Sequence, residues 1–250
     1  MLLVPLSLAV VVALRLAVFR LAAKPLVLTE ALAALSVSTF LRLPAVREWV
    51  DPQISQTTGL ANASCFVSLI AGLVCADRFV MFTEYLNGAT RYSLIRRVAT
   101  GATVVAMTVL YVAGDASSVQ VDELTRINAF SVKALVGVYA SMILIDAIIA
   151  LITSILTFRG LPPHHHTRYS MAALGAGATY GTLYITFVVA YPLLDPNGDG
   201  HPNWPFEVDI QYASALWWFI GPMCIALALA GAVGPIAAAG FGRKRHVETS

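Results

Sequence analysis

Seven runs of mostly apolar residues dominate the chain, at 2–19, 26–43, 60–82, 98–112, 127–158, 169–194 and 210–241. A bilayer-spanning helix needs about 20 such residues, whereas helices of soluble domains average about 11–12. Few soluble cores could bury runs of this length. Composition agrees: 58% of residues are hydrophobic and 12% charged, against about 25% charged in soluble domains. The fold class these runs predict is all-α: a polytopic membrane protein of seven transmembrane helices, with a short basic tail at 242–250. The fourth run is the weakest, because it is short and Gly101 loosens it. The fifth and seventh exceed the bilayer and must tilt or project. Met1 opens directly into apolar sequence without a basic leader, so the first run reads as a retained helix.

Charge sets the orientation through the excess of Lys and Arg on cytoplasmic loops. With the N-terminus outside, Arg20, Lys24, Arg91, Arg96, Arg97, Arg159, Arg168, Arg243, Lys244 and Arg245 fall inside, against Glu84 and Glu248. The outer segments then hold Arg42, Arg47 and Arg126 against Glu48, Asp51, Asp115, Asp122, Glu123, Asp195, Asp199, Glu207 and Asp209. The reverse topology inverts this balance. Trp49, Trp204, Trp217 and Trp218 all fall on the outer side, as an interfacial aromatic belt would. The expected location is the cytoplasmic membrane, with the C-terminus inside.

Apart from Arg42, counted with the outer segment at the edge of the second run, six ionisable residues fall within the runs: Arg15, Glu30, Asp77, Arg78, Lys133 and Asp146. Each costs at least about 2.5–3.5 kcal/mol at the bilayer centre. Arg15 and Glu30 flank the first cytoplasmic turn at similar depth and read as an ion pair, with snorkelling of Arg15 as the alternative. Asp77 and Arg78 read as a cytoplasmic interface anchor or a contact for a cytoplasmic partner. Lys133 can reach the outer interface. Asp146 sits near mid-membrane. Tyr139, Asp146 and Thr153 recur every seven residues on one face. That seam is either hydrogen-bonding glue between helices or a protonatable, cation-binding group in a cavity. Tyr180 and Tyr184 on the sixth run are its expected partners, and Gly177 and Gly181 form a small-xxx-small contact there.

The loops add little chemistry. Asp195, Asn197 and Asp199 before Gly200 match the first half of a calcium loop. The bidentate Glu then falls one residue late, at Glu207, and an Asx- and Gly-rich turn explains the same letters. The run His164, His165, His166 is a biased turn, and Arg243-Lys244-Arg245 suits an anionic lipid surface. All five histidines lie outside the apolar runs, which argues against an intramembrane haem. Cys65, Cys75 and Cys224 lie inside them, so no disulfide or zinc site is expected. Hydrolase, phosphate-loop and dinucleotide motifs are absent, as is a lysine deep in the last run for a retinal Schiff base. No intramembrane histidine is present to serve as a base. We therefore expect a non-enzyme without cofactors. Its partners are the bilayer, a protein or small-molecule ligand, and no nucleic acid; homo-oligomers are permitted.

Leu41-Arg-Leu-Pro-Ala-Val-Arg47, then Trp49-Val-Asp51, a loop, and the third run from Leu60 resemble an actinobacterial family of seven-helix integral membrane proteins. The arginine-rich segment from Arg91 to Arg97 and the long fifth run followed by basic residues extend the resemblance over most of the chain. Members are labelled transporters, which is not an established activity, and many carry a longer cytoplasmic C-terminal region. The resemblance implies no catalytic residues. Two functions follow as expectations. The first is a sensor or docking module acting through a partner or ligand. The second is a small-solute or ion transporter using Asp146.

Overall fold

A computed structural model describes residues 3–18, 23–87, 93–118, 129–163, 165–194 and 220–233. Among them there is no strand. The helices are α1 (Leu3–Val18), α2 (Ala23–Leu41), α3 (Pro44–Thr58), α4 (Ala63–Asn87), α5 (Ser93–Val112), α6 (Phe130–Gly160), α7 (His166–Leu194) and α8 (Ile220–Val233). A 3₁₀ turn, Asp115–Ser117, follows α5. Three helical segments, Ala63–Leu86, Leu94–Val112 and Phe130–Gly160, are long and apolar enough to cross a membrane. Their outward faces carry large apolar side chains, among them Ile95, Val98, Val105 and Val109 on α5 and Ile148, Ile152 and Leu156 on α6. Contiguous exposed apolar surface of this kind marks a membrane face.

Two local features depart from the apolar pattern. The segment after the second run, expected as a loop, is the helix α3. Leu43 is extended before Pro44, as a residue preceding proline must be. Pro44 then starts α3, where its missing N–H costs nothing. Gly59 ends it in the left-handed conformation (φ 73°), its N–H bonding to the carbonyl of Ser55 at 2.8 Å. The break turns the chain by 84° between α2 and α3, and Trp49 on α3 is left exposed. The second departure is α5, which begins at Ser93 and not near residue 98. Arg96 and Arg97, expected in a loop, are helical residues.

The helices close into a ring. α2 packs against α1 and α4, α4 against α6, and α6 against α7. α8 completes the circuit: Leu227 lies against Gly177 of α7, while Gly231 lies against Leu32 of α2 and Val11 of α1. α5 packs outside, on α4 and α6. Gly177 is where the small-residue reading has structural consequence. A Cβ there would come within 2.5 Å of Leu227 Cδ2. The corner between α3 and α4 is tied by Asp51, buried midway along α3. It accepts the Ser64 backbone N–H at 2.8 Å and the Ser64 hydroxyl at 2.7 Å, satisfying the N-terminus of α4.

Gly177→Val should overpack the α7–α8 contact and destabilise the protein by about 1–3 kcal/mol, read as a lower melting temperature in detergent by size-exclusion thermostability. Asp51→Ala removes a buried cap and should cost about 1–2 kcal/mol. Asp51→Asn, which keeps one acceptor, should cost less in the same assay.

Candidate functional site

Most buried charged side chains of the bundle are answered, and α4 supplies most of the answers. Arg42, just after α2, donates through Nε to Ser68 Oγ at 2.9 Å. Its guanidinium also lies 5.7 Å from the centre of the Tyr184 ring. Ser38 and Ser68 exchange hydrogen bonds beside it, each hydroxyl 2.9 Å from the other residue's carbonyl. Towards the other end of α4, buried Arg96 of α5 bonds Asp77 through its carbonyl at 2.6 Å and its carboxylate, and reaches Glu84 at 3.1 Å. Thr100, one turn along α5, adds a bond to the Asp77 carboxylate at 3.3 Å. Asp77 and Glu84 are seven residues apart on α4, so both face α5.

The pairing of Arg15 with Glu30 is corrected here. Glu30 pairs with Arg78 at 3.2 Å, linking α2 to α4. Arg15 is buried and donates to Thr29 Oγ1 at 3.1 Å and to the Gly231 carbonyl of α8 at 2.7 Å. Similar depth on adjacent helices was not enough, because the two side chains point to different neighbours. The anchoring role of Asp77 is corrected too: it lies in a buried cluster with Arg96, and only Arg78 is partly exposed.

Asp146 stands apart. It is 1% exposed, and neither carboxyl oxygen has a hydrogen-bond partner among the described residues. No other buried charged residue described is in that state. Along α6 it lies 16 residues from Phe130 and 14 from Gly160, about 24 and 21 Å by helix rise. It lines a cavity of about 100 Å³ enclosed by α2, α4, α6, α7 and α8. The same cavity meets Arg42, Ser38, Thr39, Cys75, Tyr139 and Tyr184, and its remaining wall is apolar or glycine. Gly72 admits the Tyr139 hydroxyl to the wall of α4, since a Cβ there would stand 2.9 Å from that oxygen.

The seam expected on α6 is thus only partly assembled. Tyr139 and Asp146 share the cavity with Tyr184. Thr153 does not line it and bonds back to the Ile149 carbonyl at 2.7 Å. Tyr180 is 37% exposed and turned away from it. Ser154, next to Thr153, is buried with an unpartnered hydroxyl. Lys133 is exposed. Asp195, Asn197 and Asp199 lie outside the described residues, as do His164 and the basic tail; among those described, no His, Cys, Asp or Glu cluster could hold a metal ion. Arg96 and Arg42 as partners for buried polar groups escaped sequence reasoning. A signal was present in Arg96 and Thr100, which stand four apart and so share a face of α5.

Breaking the Arg96 cluster leaves two buried carboxylates unanswered. Arg96→Ala should cost about 3–5 kcal/mol. Arg78→Ala, whose pair with Glu30 is partly exposed, should change thermal stability in detergent far less; equal losses would contradict this assignment. No family model, curated protein or solved structure matches this chain.

Proposed function

We propose that the chain is a seven-span protein of the cytoplasmic membrane, N-terminus outside and C-terminus inside, that binds a small solute at Asp146 and carries it across the bilayer. The seven spans are α1, α2, α4, α5, α6, α7 and α8. The distribution of basic residues supports the orientation. The observation that carries the function is an unpartnered carboxyl at mid-depth, facing a cavity inside the ring. A docking module works through its outer surfaces and has no need of either feature. Intramembrane carboxylates of this kind mark solute and ion pathways. The label carried by the family this chain resembles points the same way.

A carrier must close on each side of its site in turn. Candidate closures flank the cavity. On the outer side, Arg42, Tyr184 and the Ser38–Ser68 pair hold α2, α4 and α7 together. On the cytoplasmic side, the Arg96 cluster and the Arg78–Glu30 pair hold α5 and α2 to α4. Hydrogen bonds and ion pairs at these positions can break and reform without disturbing the apolar packing between them.

Cys75 lines the cavity beside Asp146 and reports access directly. In a Cys65→Ala/Cys224→Ala variant, Cys75 is the sole thiol. We expect a membrane-impermeant methanethiosulfonate bearing a trimethylammonium group to label it in both right-side-out and inverted vesicles. Labelling from one side only, or none before denaturation, would sink the carrier and favour a sensing or docking module.

A further inference from the structure

We infer that the cavity's ligand is a small organic ammonium ion with at least one N–H and a compact apolar body. This deepens the proposal above and rests on its placing the binding group at Asp146. A carboxylate accepts hydrogen bonds and donates none. Asp146 has two buried oxygens with no donor, so a ligand of its ionised form must bring one. A cationic donor gives the stronger, charge-assisted bond.

The rest of the wall narrows the class. A bare inorganic cation needs several oxygen ligands; calcium takes about six to eight. Besides the Asp146 carboxyl the lining holds no second carboxylate and no side-chain amide, only the hydroxyls of Ser38, Thr39, Tyr139 and Tyr184, with Ser38 tied to Ser68 and Thr39 to the Leu35 carbonyl at 2.9 Å. The remaining lining is mostly aliphatic, with Phe79 and the rings of Tyr139 and Tyr184. Such a wall holds hydrocarbon and can face a cation with aromatic surface. Polarity then fixes direction. Arg42 lies at the outer end, its Nε bound to Ser68 and its charge over Tyr184. It repels a cation there and leaves the Asp146 end for the ammonium group. Size sets the upper bound. An apolar cavity of about 150 Å³ holds benzene. One of about 100 Å³ takes a body of about four or five heavy atoms.

The test uses vesicles containing the variant with Cys75 as sole thiol, and follows its alkylation by N-ethylmaleimide. Isobutylammonium should slow alkylation at least fivefold and saturably. Isobutanol and isobutyrate, of the same carbon skeleton, should not, nor should tetramethylammonium, which lacks an N–H. Asp146→Asn should abolish the protection while Cys75 keeps its unprotected rate. Equal protection by isobutanol, or protection surviving Asp146→Asn, would overturn the inference in favour of a neutral apolar ligand. Protection by isobutyrate alone would transfer the site to Arg42. No protection by any probe, with Cys75 still labelled from both sides, would overturn the ammonium class and leave the carrier standing. Thermal shift in detergent decides where Cys75 is unreactive: isobutylammonium alone should raise the melting temperature of the wild-type protein, and equal or absent shifts across the series overturn the inference. The wild-type series decides by itself if Asp146→Asn does not fold.

Discussion

Removing one partner of a buried charge costs about 3–5 kcal/mol, and the bundle is organised around that penalty. α4 is the element that answers it. From its N-terminal end onward, it offers the Ser64 N–H and hydroxyl to Asp51 of α3 and the Ser68 hydroxyl to Arg42, just after α2. It then turns Asp77 and Glu84 to Arg96 of α5, and Arg78 to Glu30 of α2. Gly72, midway, gives space to the Tyr139 hydroxyl of α6. One helix thus fixes the register of three neighbours by polar contacts, while apolar packing holds the ring laterally. Dispersion alone would let such helices slide, since lipid tails are as apolar as leucine. The polar contacts give register.

What could be read from the chain follows from what is local. Apolar runs and charge asymmetry are properties of contiguous residues, and they pointed to an all-helical membrane fold. Pro44 and Gly59 are local signals as well, and together they bound α3. They were passed over because the segment between them is polar and no apolar periodicity drew attention to it. Partner choice is not local. Arg15 and Glu30 sit at similar depth, but Arg15 turns towards α8 and Glu30 towards α4. Depth comes from counting residues; azimuth depends on which helices become neighbours. For the same reason Asp146 was legible as a residue needing an account, while the cavity beside it was not. A cavity is made by what five helices fail to fill.

Small residues account for that failure to fill. Gly72, Gly177 and Gly181 line the cavity with Ala147, Ala150 and Ala178. Not all of them leave space. Gly177 is taken up by Leu227, and Gly72 by Tyr139, so these two glycines buy close helix contact. At Gly181 an added Cβ would meet Met223 Sδ at 3.5 Å, an ordinary contact. That position is glycine without a packing demand. At Gly181, then, the cavity gains room from an absent side chain where a Cβ would be tolerated.

Asp146 sharpens the point. A fold needing only interhelical glue would set a donor against the carboxyl, because half of a polar network is worse than none. Donors are close at hand. Tyr139 and Ser154 lie on the same helix, and the Ser154 hydroxyl is itself unpartnered. Neither reaches Asp146. Asp77 and Glu84 show that the chain can place a cation on buried carboxyl groups when structure requires it. Asp77 and Glu84 are answered by a cation and Asp51 by Ser64, while Asp146 is left open in the same bundle. Consistency across levels of structure breaks at this one side chain, and the function proposed for it would account for the break.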